Sequence, residues 1–209
     1  MAGSVKEARP GIPARILRGL GWLLVHTVQR TKVCGPKPVI DGPAIFVCRH
    51  VGLMDPVILL VLYLRRMIHP LVAKDYYDKN GFTRSFYKLA QCYPIDRRNV
   101  STSWLESSLA ALKRGEGIII YPEGRRNKLK EAGLLPFHNG AALLSARSGA
   151  PLVPVYNAFW KFPHRYRLAI GQPFHIDPLP PEGPSSAWLS AQTETIQSAV
   201  AALAPLVDQ

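Results

Sequence analysis

The 209-residue chain has few cysteines, few acidic side chains and no long apolar run. Its three cysteines, Cys34, Cys48 and Cys92, are odd in number, widely spaced and form no Cys-x-x-Cys pair. That excludes a disulfide framework and points to a reducing compartment. The triplet Asn99-Val100-Ser101 matches a glycosylation sequon, which in such a compartment stays unused. Three Cys and six His give no ligand pair of the usual spacing, so no metal site is expected. Glycine shows no three-residue period and the apolar residues sustain no heptads, which excludes collagen and long coiled coils. With 47% hydrophobic residues and a mean hydropathy of +0.02, disorder is excluded too. Only 14 Asp and Glu stand against 26 Lys and Arg, for a net charge of +12. A chain this basic calls for an anionic partner: nucleic acid, a phospholipid surface or a phosphorylated substrate.

The N-terminal segment is basic and amphipathic. Lys6, Arg9, Arg15 and Arg18 precede the uncharged stretch Gly19 to Gln29, which is eleven residues long. A spanning helix needs roughly 20 apolar residues, and no small-residue cleavage site follows, so neither a span nor a signal peptide fits. Ile12, Ile16, Leu17, Leu20, Leu24 and Val28 recur at helical spacing, with Trp22 near the middle. This pattern reads as a helix lying in the plane of a lipid headgroup region, or else as one packed on the core. Over residues 1–43, seven Lys and Arg face Glu7 and Asp41 alone. The expected division is a membrane-associating segment over 1–38 and one catalytic domain over 39–209, and truncating residues 1–30 is expected to release the protein from anionic vesicles.

Beyond residue 40, apolar runs alternate with helical patterns. Strands are expected at 44–48, 69–73, 92–95, 118–121, 151–156 and 166–170. Asp55 as N-cap with Pro56 at N1 opens a helix that runs through 57–66. Helical spacing covers 82–90, and Ser103-x-x-Glu106 reads as a capping box for a helix to about Lys113. A helix over 139–147 stops at Gly149. Prolines between 173 and 184 mark an extended connector, and a last helix carries Leu189, Ile196, Val200 and Leu203 on one face. Alternation of uniformly apolar strands with helices predicts an α/β fold: a mostly parallel sheet with helices on both faces.

Three polar clusters follow apolar strands. The first is His50-Val-Gly-Leu-Met-Asp55. On a regular helix the two side chains would diverge by about 140°, but Gly52 lets the loop fold back so that a carboxylate can orient an imidazole as a general base. There is no Gly-x-Ser-x-Gly, so the base would act on a hydroxyl or water brought by the substrate; the exposure of Cys48 is left open. The second is Asp96-Arg97-Arg98 after Tyr93-Pro-Ile95, whose guanidinium groups suit phosphate. The third is Tyr121-Pro-Glu123-Gly124-Arg125-Arg126, in which Gly124 permits a tight turn, Glu123 can orient an Arg or a hydroxyl, and the arginines can hold phosphate. A fourth block, Pro151-Leu-Val-Pro154-Val155, is an apolar strand whose prolines limit its pairing.

The blocks His50-x4-Asp55, Ile95-Asp96-Arg97, Pro122-Glu123-Gly124-x-Arg126 and Val153-Pro154-Val155, in this order, resemble the glycerolipid acyltransferase family. They are most similar to its bacterial 1-acyl-sn-glycerol-3-phosphate acyltransferases, and the stretch Leu134 to Gly140 adds to the likeness, which spans Ala44 to Tyr156. The resemblance implies that His50 deprotonates an acceptor hydroxyl and that Asp55 orients it. It further implies that Arg97, Glu123, Gly124 and Arg126 bind the acceptor phosphate, with Asp96, Arg125 and Pro154 as secondary candidates. It implies acyl-CoA or acyl-carrier protein as co-substrate, a lysophospholipid acceptor and no cofactor or metal. No nucleic acid is expected, since no recognised nucleic-acid module appears, and the basic N-terminal segment predicts a peripheral or monotopic place on the cytoplasmic face of the inner membrane. This sequence has Arg49 where the family usually has Asn, Gly52 in place of Ser, Gln91 and Pro94 in place of Gly and Phe, and Arg125 in place of Thr or Val. These changes leave the acceptor headgroup open. Another lyso-lipid acceptor, hydrolysis by the same pair, a non-catalytic anionic-lipid binder and a nucleic-acid binder are the rival readings.

Overall fold

The computed structural model describes residues 9–96, 102–127, 133–159 and 166–207. Among these, seven strands form one sheet: β1 Thr31–Val33, β2 Ala44–Cys48, β3 Ile68–Ala73, β4 Tyr93–Ile95, β5 Gly117–Ile120, β6 Leu152–Phe159 and β7 Tyr166–Ile170. The spatial order is β1-β7-β6-β2-β5-β3-β4. All neighbours are parallel except β6 and β7, which are antiparallel. The helices are α1 Ile12–Thr27, α2 Asp55–Leu62, α3 Lys74–Tyr77, α4 Gly81–Leu89, α5 Ser103–Lys113, α6 Gly140–Ser148, α7 Ser186–Ala201 and α8 Ala204–Val207.

The expected two-sided burial is present. Every residue of β2 is buried, and its side chains alternate between two cores. Ile45 and Val47, with Ile118 and Ile120 of β5, pack under α5, α6 and α7 through Ala111, Leu112, Leu144, Ile196 and Val200. Phe46 and Cys48, with Ile119 and Val153, pack under α2 and α1 through Ile58, Leu59, Val61 and Val25. The chain leaves β2 toward β3, β4 and β5 on one side and returns to β6 and β7 on the other. The carboxyl ends of the parallel strands therefore share one edge, which is where open α/β sheets bind ligands.

Several local expectations are corrected. Asp55 is the first residue of α2, and Met54 occupies the cap; the carboxylate is turned back onto the preceding loop rather than onto the helix. α2 ends at Leu62, not Arg66: the chain leaves the helix at Tyr63, with φ −120 and ψ 52, and the carbonyls of Leu64 and Arg66 beyond it accept hydrogen bonds from the Arg18 guanidinium. The Ser103 capping box does not form: Thr102 is the cap residue, with no side-chain cap bond, and its hydroxyl donates to the Glu106 carboxylate at 3.0 Å. Pro154, the one proline within β6, does not restrict the strand to an edge, since β6 pairs with β2 on one side and β7 on the other. The Pro154 carbonyl accepts from the Gly171 N–H, so the position of its missing N–H faces β7, where the ladder begins only at Val155. The short strand β1, an edge strand paired with β7, and the short helices α3 and α8 had no counterpart in the sequence pattern.

Helix α1 packs on α2 with Gly21 against Val57 and Val61. Its buried residues are Ala14, Arg18 and Val25. The apolar stripe is the outward one: Ile12, Ile16, Leu20, Trp22, Leu23, Leu24 and Val28 are all exposed. Of the two readings of this helix, packing accounts only for the narrow face built around Arg18. No helix among the described residues is long and apolar enough to cross a membrane.

Candidate active site

A cleft of about 820 Å³ opens at the carboxyl edge of the sheet. It is lined by residues that end β3, β4 and β5 (Ala73, Ile95, Ile120), by His50 after β2, and by Tyr121, Pro122, Gly124, Arg125, Arg126 and His138. Lys74 and Trp104 are also among its walls. Its volume is in the range of sites that hold a sizeable organic ligand.

The loop after β2 folds back as Gly52 predicted. Asp55 Oδ2 lies 2.9 Å from His50 Nδ1. The same carboxylate accepts the N–H groups of Val51 at 2.8 Å and Gly52 at 2.9 Å. On its far side Asp55 Oδ1 accepts the Tyr166 hydroxyl at 2.6 Å. Asp55 is 2% exposed, so every interaction of its charge is made with the protein. Gly52 has a second role: a Cβ there would stand 2.8 Å from the Phe159 ring, which closes over this loop.

The imidazole itself reaches the cleft. With Nδ1 facing a carboxylate, the proton of the neutral ring sits on Nδ1, which leaves Nε2 as the basic nitrogen. The ring stacks obliquely on Tyr121, with centroids 4.3 Å apart. Its backbone is clamped as well: the His50 N–H donates to Glu123 Oε1 at 2.9 Å, and its carbonyl accepts the Asn127 N–H at 2.6 Å.

Glu123 thus acts through the main chain. Its second oxygen accepts the Leu135 N–H at 3.1 Å, so one buried carboxylate joins the His50 loop to the loop before α6. Burial raises its pKa above the ordinary glutamate value, against the opposing pull of those two N–H donors. Gly124 adopts φ +67, and a Cβ there would collide with the His138 ring at 2.9 Å, so the turn needs glycine on both counts. Arg125 and Arg126 are exposed at the cleft wall. Asp96 directly follows Ile95, which lines the cleft. Arg97, Arg98 and the triplet Asn99-Val100-Ser101 lie outside the described residues. Pro154 is buried in the sheet and is not among the residues that line the cleft.

Cys48 is 1% exposed and faces the α2 side of the core. Burial, reinforced by the Asp55 charge, pushes its thiol well above the ordinary value, so it is no nucleophile. Two residues the motifs do not contain complete the geometry. Tyr166 of β7 holds Asp55, and Asn157 of β6 donates through Nδ2 to the Tyr166 oxygen. Arg49, in turn, donates to the Asn157 carbonyl at 3.2 Å and lies over the Tyr156 ring. No local pattern announces these partners; the antiparallel β6–β7 pairing places them.

Residues 26–157 match the protein-family model described as Acyltransferase. The chain is 29% identical over 178 residues to the 1-acyl-sn-glycerol-3-phosphate acyltransferase of Bacillus subtilis (strain 168), a match covering 81% of this chain and 85% of that protein. It is 33% identical over 115 residues to the protein of the same name from Cocos nucifera, covering 54% of this chain and 36% of the relative. The crystal structure of the 1-acyl-sn-glycerophosphate acyltransferase from Thermotoga maritima superposes with a TM-score of 0.63 at 18% identity, covering 91% of this chain and 79% of that one. At that identity the likeness is one of fold.

Proposed function

The chain belongs to the Acyltransferase family, and from that premise we propose that it transfers a fatty acyl group from a thioester to the free hydroxyl of a lysophospholipid. The acceptor we assign is 1-acyl-sn-glycerol 3-phosphate, and the product is phosphatidic acid. The observation that carries the reading is the His50–Asp55 contact of 2.9 Å at the wall of a cleft large enough for lipid.

His50 Nε2 takes the proton of the acceptor hydroxyl as its oxygen attacks the thioester carbonyl carbon. Asp55 holds the ring in the tautomer this step needs and stabilises the imidazolium it forms. The C–S bond breaks as the tetrahedral oxyanion collapses, and the imidazolium returns the proton to the departing thiolate. The acceptor phosphate is assigned to Arg126 and Arg125 at the cleft wall, with Arg97 added from the family resemblance. Gly124 keeps the turn free of a side chain beside them, and Glu123 fixes the backbone on which His50 sits. The donor is acyl-CoA or acyl-carrier protein. The exposed apolar face of α1 supports a peripheral place on the membrane, with residues 1–38 as the associating segment and 39–209 as the catalytic domain.

The test is a panel of lysophospholipids supplied with labelled acyl-CoA and acyl-carrier protein, read by mass spectrometry. Lysophosphatidate should be converted, and His50→Ala should lower kcat by about 10²–10⁴-fold in a protein that stays folded. Arg126→Ala should lower kcat/KM for the acceptor more than for the donor. Turnover by His50→Ala at the normal rate overturns the mechanism. A protein that acylates no acceptor from either donor is a lipid binder instead.

A further inference from the structure

Among the described residues, helix α4 carries an apolar stripe that stays exposed. Phe82, Phe86 and Leu89 recur at i, i+4 and i+7 and are 80%, 41% and 42% exposed. The helix has no buried residue. Its inner side is turned to the cleft: Tyr87 stacks on Tyr77 of α3 with centroids 5.7 Å apart, and Tyr87 and Tyr76 both line the cleft. The start of α4 is fixed by a capping box in which the Asn80 side chain accepts the Thr83 N–H at 2.8 Å while the Thr83 hydroxyl oxygen accepts the Asn80 N–H. The stripe is therefore a feature of a formed helix.

The surroundings state what should cover it. Across α3 and α4, Lys74, Lys79, Arg84 and Lys88 stand against Asp75 and Asp78, and Asp78 is paired with Arg84 at 2.9 Å. Two copies meeting through this face would oppose like charges across a symmetric contact. An anionic lipid surface meets both the apolar stripe and the basic rim. Helix α1 is tied to the end of α4: from the buried side of α1 the Arg18 guanidinium reaches the side-chain oxygen of Gln91, just past the end of α4, at 3.5 Å.

We propose that α4 is a second membrane-docking element, which seats Phe82, Phe86 and Leu89 at the headgroup–acyl boundary of an anionic bilayer. Together with α1 it holds the mouth of the cleft on the lipid, so that a lysophospholipid enters from the bilayer. The consequence for turnover rests on the acyl-transfer reading above; the docking does not.

The test uses the full chain. Cys34, Cys48 and Cys92 are all buried, so Phe82→Cys gives a surface thiol for selective labelling with an environment-sensitive fluorophore. Its emission should shift to the blue on phosphatidylcholine vesicles containing phosphatidylglycerol. A separate Phe82→Ser/Phe86→Ser variant should keep its circular dichroism and lose vesicle affinity by about tenfold or more. It should also lose turnover of bilayer-embedded lysophosphatidate while keeping turnover of a monomeric short-chain one. A label that stays in a water-like environment on vesicle-bound protein overturns the proposal. So does a double variant that binds vesicles as tightly as the parent, or one that merely dissociates a lipid-free dimer. If the label enters the bilayer but no acceptor is ever acylated, the docking stands and the proposed reaction fails.

Discussion

Tyr166 stands one hydrogen bond from Asp55 in space and 111 residues from it in sequence. Burial, reinforced by the Asp55 charge, pushes its phenol well above the ordinary value, so the hydroxyl stays protonated and donates throughout the working pH range. Tyr166→Phe keeps the ring that meets Phe159 edge-on and removes the hydroxyl, which donates to Asp55 and accepts from Asn157 Nδ2. The carboxylate then loses one of the groups that stabilise its charge and holds the His50 imidazolium more strongly. The lost bond also fixes where the carboxylate holds the ring; a hydrogen bond to a charged group is worth about 1.5–3 kcal/mol, and this loss of positioning should outweigh the gain, so kcat falls by about tenfold with KM little changed. The acidic limb of the kcat/KM profile, which reports the general base, should move to higher pH in the variant. A pH–rate profile identical to that of the parent shows that Tyr166 only packs. The case also marks where the sequence stops being informative. His50 and Asp55 are five residues apart in one loop, and Gly124 announces its own turn. Tyr166 and Asn157 come to Asp55 only because β6 and β7 are antiparallel, and an apolar strand pattern carries no pairing partner. Glu123 was legible as a polar residue of the right block, but its bonds to two main-chain N–H groups depend on how three loops converge.

Among the elements, those with one dominant local cause were legible. The strands β2 and β5 are uninterrupted apolar runs, and α6 ends at Gly149 with φ +66 as a helix-terminating glycine should. The boundary of α2 differed: the chain leaves the helix at Tyr63, and the carbonyls of Leu64 and Arg66 past its end are taken by the buried Arg18 of α1. Burial lowers the Arg18 pKa to about 10, yet it remains a cation at neutral pH. Truncating residues 1–30 therefore does more than remove an anchor; it uncovers Val57 and Val61 and frees those carbonyls, so substitutions on the exposed face of α1 are the cleaner probe. A second long-range device sits at the opposite edge of the sheet from the cleft. The buried His69 of β3 contacts Glu116 at 3.0 Å through Nε2 and the Gln91 carbonyl at 2.7 Å through Nδ1, while Arg114 donates to the same glutamate. Burial favours the protonated form of Glu116, but the bonds from Arg114 and His69 outweigh it and hold the carboxyl below its ordinary 4.5. A carboxyl with a depressed folded pKa stabilises the protein above its unfolded pKa and loses that contribution as pH falls through the folded value. Glu116→Gln should thus cost about 1–3 kcal/mol near pH 7. Its deficit against the parent should shrink toward about pH 3. Urea titrations at the two pH values decide it, and a deficit independent of pH assigns the effect to packing.

For the whole molecule, the net charge of +12 overstates what can face a lipid. Arg18, Arg49 and Arg66 are buried and bonded to carbonyl groups within the fold. Arg125 and Arg126 line the cleft. Of the exposed cations, those flanking α1 and α4 stand beside the apolar stripes, and each contributes about 1 kcal/mol near an anionic leaflet. The exposed stripes of these two helices contribute a part that salt does not screen. The two parts respond oppositely to ionic strength: screening shortens from about 10 Å at 0.1 M to about 3 Å at 1 M, while apolar burial is not weakened. Raising salt across that range should lower partitioning onto phosphatidylglycerol-containing vesicles by about tenfold or more. Partitioning onto pure phosphatidylcholine should stay level or rise. Co-sedimentation at a series of salt concentrations separates the terms. Binding to anionic vesicles that ignores salt removes the basic rims from the docking, and binding abolished by salt on both lipids removes the apolar stripes.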